Sequence, residues 1–199
     1  MHAVENWHVD MIILPLGFPV YDEELANAIS LALRENVLCL AAPGNNGANE
    51  RIAFPARLPG VIHIYATDGY GNPLPFNPSP LPGQKNFSTL GEDIEFKWKE
   101  RTIFSSGTSF SVCIAGGILA MILDCAQNYL KMDKADVKAL HMPQEAEKIL
   151  ELMSAHRGGY SYIAPWLLLS DEMFDNSQTE EDCKIMLKSI IVAALKQWH

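Results

Sequence analysis

The sequence predicts an α/β fold with a mostly parallel sheet, and three features of its first third indicate this. Residues 9–16 and 37–42 are short apolar segments typical of buried strands, and residues 22–36 between them have the apolar spacing of an amphipathic helix. Both strand segments are apolar nearly throughout, as parallel strands covered on both faces usually are. Residues 61–66 predict a third such strand. We therefore expect parallel neighbours joined by a right-handed helical crossover.

Local signals justify the elements in their order along the chain. Asp22 can cap the first long helix, and Glu23 and Glu24 suit the positive end of its dipole. Residues 68–86 are rich in glycine, proline and asparagine, which predicts a surface loop. Residues 94–98 alternate in polarity and predict an edge strand.

The rest of the chain is predicted to be helical. Residues 109–130 begin with small residues and continue as a strongly apolar segment, which indicates a buried core helix. Three further helices are predicted at 133–140, 144–155 and 180–197. We therefore expect a sheet-bearing part, residues 1–130, followed by a helical C-terminal extension, residues 131–199.

Charge and composition argue against several classes of partner. The 199 residues carry a formal net charge of −9, whereas nucleic acids and anionic membranes favour basic surfaces. No apolar segment reaches the length needed to span a bilayer. From charge and segment length together we expect no nucleic-acid or membrane partner.

The sequence also predicts no metal and no cofactor. The four cysteines lack metal-ligand spacing, which favours free thiols over a disulfide. The acidic segment 171–182 lacks the ligand spacing of a calcium loop and is interpreted as a solvated linker. The opening residues MHAVENWHVD do not resemble a secretory leader. The cellular location of the protein stays undetermined, and the sequence as it stands would be expected in the cytoplasm.

The candidate chemistry lies in three loops expected at the carboxyl ends of the parallel strands. These are Leu16–Gly17, the segment 43–47, and residues 105–109 ahead of the long helix. Ser109, beside a helix N-terminus, is either a helix cap or a nucleophile. In the second case the free N–H groups of the helix would stabilise the oxyanion that forms on the carbonyl under attack. Asn45 is either a turn residue or a second oxyanion donor.

Five segments in order resemble subtilisin-like serine peptidases and cover roughly residues 1–130. SSGTSFSVCIAGGILAMI resembles the nucleophile turn and its buried helix, and VLCLAAPGNNG resembles the oxyanion loop. VDMIILPLG resembles the strand and loop that line the substrate cleft. FPARLPGVIHIYATD and NFSTLGEDIEF resemble the two segments between the oxyanion loop and the nucleophile. The resemblance implies a subtilisin-like three-layer fold.

The resemblance also assigns roles to individual residues. Ser109 would be the acyl-forming nucleophile, and Asn45 with the Ser109 amide would form the oxyanion hole. The peptide-binding cleft would accept an extended polypeptide as an added strand. The residues expected to line it are Leu16, Gly17, Gly44, Gly107 and Thr108.

The family's aspartate and histidine motifs precede the nucleophile in chain order and have no counterpart in this sequence. We therefore expect the C-terminal part of a catalytic domain whose N-terminal part is missing. Two functions stay open: a serine endopeptidase that is incomplete in this chain, or an inactive relative that binds peptides or acts as a scaffold. Loss of neighbouring strands would expose the edge of strand 10–16, so self-association is also expected.

Overall fold

A six-stranded sheet forms the centre of the molecule in the computed structural model, which describes residues 1–169 and 179–196. The strands are β1 Met11–Leu14, β2 Leu38–Ala41, β3 Ile62–Thr67, β4 Phe87–Leu90, β5 Ile94–Trp98, β6 Arg101–Ser105, β7 Ser154–Arg157 and β8 Tyr160–Ile163. The helices are α1 His2–Glu5, α2 Glu23–Arg34, α3 Thr108–Asp124, α4 Lys134–Leu140, α5 Pro143–Leu152 and α6 Glu180–Lys196. A π-helical turn, Cys125–Tyr129, extends α3, and a short 3-10 helix spans Pro165–Leu167.

The sheet has the order β1-β2-β3-β4-β8-β7. Its first four neighbouring pairs, β1–β2, β2–β3, β3–β4 and β4–β8, are all parallel. Only β7 runs antiparallel, at one edge, while β1 forms the other edge. The predicted α/β class and mostly parallel sheet are therefore confirmed. Because β1 and β2 are parallel and in register from Met11↔Leu38 to Leu14↔Ala41, the loops that follow both strands leave the sheet at one rim.

Helices cover both faces of this sheet, which makes three layers. Alternate residues of β2 point to opposite sides: Leu38 and Leu40 pack in the core under α3, α5 and α6, while Cys39 packs in the core under α2. All four residues of β2 are buried. Burial on both faces explains why the strand is apolar throughout rather than alternating.

Helix α3 is the central helix of the larger core, as its sequence predicted. Val112, Ala115 and Leu119 are almost fully buried against the sheet. At Gly116 the helix approaches β1 so closely that a Cβ atom would lie 2.8 Å from Cγ1 of Ile13. With its π-helical turn the helix comprises 22 residues and is long and apolar enough to cross a membrane by length and composition alone. The expectation that no apolar segment reaches that length is wrong, but packing in the core accounts for the apolar character.

Three parts of the sequence form strands that the residue pattern did not predict: β4, β6, and the pair β7 and β8. Strand β5 was expected, but it pairs with β6 in a separate two-stranded hairpin rather than joining the main sheet. In the segment 131–199, the purely helical expectation is wrong for residues 154–163, which form β7 and β8. The turn between them contains Gly158 and Gly159, both with positive φ, and such a glycine pair is a hairpin signal in the sequence.

The predicted helices of that segment are present, with small shifts at their ends. Strand β8 pairs with β4, and α5 and α6 pack in the same core as α3. The part of the solvated linker predicted at 171–178 lies outside the described residues. The division of the chain near residue 130 stays a prediction.

The four cysteines are free thiols, as expected. Burial raises the pKa of Cys39 to about 11, so this thiol is inert at neutral pH. Cys113, in α3, is exposed although its sequence neighbours are apolar or small.

Candidate active site

A cleft of about 810 Å³ opens at the rim where β1 and β2 end and α3 begins. Five of the residues predicted from the sequence line it together: Gly17, Gly44, Asn45, Thr108 and Ser109. Parallel pairing brings the first three to the same rim, and the N-terminus of α3 adds the other two. The structure therefore collects residues that lie up to 92 positions apart in the chain, from Gly17 to Ser109.

Ser109 is not the N-cap of α3, which removes the simpler of its two interpretations. The cap position is held by Gly107, and the helix begins at Thr108. The Ser109 hydroxyl instead donates a hydrogen bond of 2.8 Å to the carbonyl oxygen of Pro15, just after β1. A backbone carbonyl holds the hydroxyl in place, but it cannot take up its proton as a general base would.

Asn45 is hydrogen-bonded to the first turn of α3. Its Oδ1 accepts a hydrogen bond of 2.8 Å from the backbone N–H of Thr108, so this side chain acts as a cap supplied from another loop. The Thr108 hydroxyl donates to the carbonyl oxygen of Gly44 at 3.3 Å. The Nδ2 group of Asn45 forms no hydrogen bond with the described residues, and the residue is exposed in the cleft.

Two of the glycines are required by the geometry of the cleft. Gly44 has φ +115°, a conformation that other residues rarely adopt. A Cβ atom on Gly17 would lie 2.7 Å from the Cβ of Ala53, so a larger residue does not fit there. The two remaining predicted residues do not line the cleft: Leu16 is 40% exposed beside it, and Gly107 lies behind Asn45.

One wall of the cleft is not predicted by the sequence pattern, and it contains Glu50, Arg51, Ala53 and Arg57. This wall is held by Phe18, whose backbone pairs with that of Phe54 through hydrogen bonds of 2.7 and 2.9 Å. The segment FPARLPGVIHIYATD, which begins at Phe54, resembles the segment after the oxyanion loop. Nothing in its residue pattern predicts that Phe54 pairs with Phe18 in the loop after β1.

The charged groups of that wall differ in their surroundings. The Arg57 guanidinium donates to the carbonyl oxygens of Pro19 and Ile52 at 3.4 and 3.5 Å and lies 5.8 Å from the ring centre of Phe54. Its contacts are therefore structural. Glu50 and Arg51 are exposed and form no ion pair with the described residues.

Within residues 1–169 and 179–196, no histidine lines the cleft that contains Ser109. His8 and His141 lie at the opposite end of the sheet, where His141 is 3.7 Å from Asp10. His63 is buried in β3, and burial lowers its pKa. His156 of β7 contacts Glu151 at 3.3 Å. The described part of the chain therefore places no histidine beside the hydroxyl of Ser109.

No group of three or more histidine, cysteine or acidic side chains in the described residues is arranged to hold a metal ion. The chemistry that the cleft offers comes from the helix N-terminus, the serine hydroxyl and the free amide of Asn45.

Comparison with known proteins identifies the family of this chain. A sequence model of the peptidase S8 subtilase family matches residues 2–160. Minor extracellular protease Epr of Bacillus subtilis (strain 168) is 25% identical over 172 residues, which is 78% of this chain and 23% of that protein.

Solved structures show the same fold. The prenylagaramide maturation protease PagA superimposes with a TM-score of 0.67 at 24% identity, covering 98% of this chain and 65% of that one. The self-cleaved protease domain of PatA gives a TM-score of 0.65 at 27% identity, covering 94% of this chain and 65% of that one. The chain thus spans less than two thirds of the length of each of these relatives.

The fold is therefore subtilisin-like, and the order of motifs, the family match and the solved relatives agree with one another. The chain belongs to the subtilase family of serine proteases.

Proposed function

We propose that this chain carries the nucleophile and oxyanion half of a serine endopeptidase site. The observation that supports this most is that Ser109, at the N-terminus of a buried helix, and the free amide of Asn45 line one cleft. The positive end of the helix dipole and the free N–H groups there favour a developing negative charge.

In the proposed reaction, the Oγ atom of Ser109 attacks the scissile carbonyl carbon. The hydroxyl proton passes to a base and then to the leaving amine as the C–N bond breaks, leaving an acyl-enzyme that water hydrolyses. Asn45 Nδ2 and the Ser109 backbone N–H would stabilise the oxyanion. Because no histidine of the described residues lines the cleft, we assign the base to a polypeptide segment other than those residues.

The proposed substrate is a polypeptide in an extended conformation. Gly17 and Gly44 line the cleft and carry no side chains, so we expect a peptide to approach closely enough for main-chain hydrogen bonds. Leu16, Gly107 and Thr108 are assigned to the support of this cleft rather than to direct catalysis.

One observation favours a second function, that of an inactive peptide-binding protein. The Ser109 hydroxyl is already hydrogen-bonded to the carbonyl oxygen of Pro15. A serine without a neighbouring base is a poor nucleophile at neutral pH, yet the cleft could still hold a peptide.

A fluorophosphonate probe distinguishes these functions. We expect the 199-residue chain alone to be labelled only at the rate of the Ser109→Ala variant, because no histidine of the described residues lines the cleft. The product of the longest reading frame that contains this sequence should be labelled stoichiometrically, and Ser109→Ala should abolish that labelling. If the longer product is not labelled but peptides still bind to it, the inactive function is correct. Rapid, Ser109-dependent labelling of the short chain would overturn the assignment of the base to another segment.

A further inference from the structure

A second cavity, of about 670 Å³, lies at the end of the sheet opposite to Ser109. Its walls come from residues that precede β1 and β2, including Asp10 and Val37, whereas the candidate active site follows those strands. The third wall is the segment from Gln127 to His141, which leads from α3 into α4. The volume lies within the range of about 300–1,000 Å³ that is usual for small-molecule sites.

The floor of this cavity is apolar. It is formed by Val4, Val9, Val37, Met132 and Val137. Val37 and Met132 are only 5% and 7% exposed, so their side chains are held in place by the core beneath them. A ligand with an aliphatic portion would bury that portion here, at a gain of about 25 cal/mol for each Å² of apolar surface removed from water.

The rim of this cavity is cationic, although the protein as a whole is acidic. Lys131, Lys134 and Lys138 line the opening, and none of them forms an ion pair with the described residues. Two carboxylates, Asp10 and Glu35, also line the cavity, so the three lysines exceed them by one positive charge. In a chain of net charge −9, such a local excess of positive charge attracts anions.

We propose that this cavity binds a medium-chain aliphatic carboxylate, with its chain on the valine and methionine floor and its carboxylate among Lys131, Lys134 and Lys138. The charge of the rim selects the carboxylate, and the apolar floor selects the chain. The site is separate from Ser109 and does not depend on the peptidase chemistry proposed there.

The lysines have one competing explanation. Helix α2 ends at Arg34, and the π-helical turn after α3 ends at Tyr129, so the negative ends of two helix dipoles lie near this rim. Cationic side chains near such ends contribute to stability without any ligand. The two explanations differ in what a lysine substitution changes: ligand affinity in one case, and only the stability of the free protein in the other.

The experiment is a calorimetric titration of the chain with octanoate and with matched compounds. Octanoate should bind at one site, with affinity rising about fourfold for each methylene added from butanoate upward. Octylamine, which has the opposite charge, and acetate, which lacks the chain, should not bind measurably. In the double variant Lys134→Gln/Lys138→Gln the dissociation constant for octanoate should rise by about tenfold, as expected for two partly exposed charged contacts. Lys97→Gln, an exposed lysine of the β5–β6 hairpin, is the matched control and should leave it unchanged.

Three results would overturn the proposal. Octanol or octylamine could bind as well as octanoate, which would remove the role of charge. The double variant could bind octanoate normally while its melting temperature falls, which would assign the lysines to the helix ends. The titration could also show no octanoate binding to the folded chain.

Discussion

Asn45 has a structural task that can be separated from its proposed catalytic one. Its Oδ1 accepts the Thr108 N–H at 2.8 Å, and this N–H belongs to the first turn of α3. The cap residue Gly107 has no side chain with which to accept that bond. Thr108 is fully buried, so water does not readily replace the lost acceptor.

These contacts set the expected cost of Asn45→Ala. Loss of a capping side chain costs about 0.5–2 kcal/mol, and a buried N–H left unpaired costs about 1–3 kcal/mol. The ranges overlap at about 1–2 kcal/mol. For a chain of this size, that lowers the melting temperature by about 2–8 °C.

Asn45→Asp should behave differently, because it keeps an oxygen at the same place. The carboxylate still accepts from Thr108 and lies at the positive end of the α3 dipole, so stability should stay within about 0.5 kcal/mol of the parent chain. The Nδ2 donor is lost, so labelling at Ser109 in the longer product should fall.

Urea unfolding followed by circular dichroism at pH 7 measures these free energies. Asn46→Ala is the control, because Asn46 lines the same cleft and is exposed. The reasoning is refuted if Asn45→Ala is as stable as the parent chain, or if Asn45→Asp is as destabilised as Asn45→Ala.

Three further outcomes are expected. Burial lowers the pKa of His63, so the unfolded chain binds the proton more readily; stability should fall below about pH 6.5 by up to about 1.4 kcal/mol per pH unit. His63→Gln should reduce that slope and the exposed His156→Gln should not, as urea titrations at several pH values will show. Gly117→Ala, with no atom near the new methyl group, should stabilise α3 by up to about 1 kcal/mol, whereas Gly116→Ala meets Ile13 and should destabilise by about 1–3 kcal/mol; equal melting temperatures would contradict this. The unpaired edge of β1 should make the chain associate with rising concentration, and Ile13→Lys should reduce this in sedimentation runs; a monodisperse monomer would contradict it.

Local patterns were sufficient for three of the six strands of the main sheet. Strands β1, β2 and β3 were predicted because each is a short apolar segment bounded by turn residues, and α2 because Asp22 and the apolar spacing mark it. Strands β7 and β8 were missed because they follow a helix-rich segment. Strand β8 joins the main sheet by pairing with β4, which depends on contacts between distant residues such as Phe87↔Ser161, and β7 pairs with β8.

The sequence by itself determined the family, because the order and spacing of motifs are carried along the chain. It also determined which residue types surround the candidate nucleophile. Only the tertiary structure decided their hydrogen bonds: the Ser109 hydroxyl bonds to Pro15, 94 positions away, and Asn45 bonds to Thr108, 63 positions away. The physical reason is that periodicity and turn chemistry act over a few residues. The convergence of loops is set instead by how parallel strands pair and how α3 packs against them.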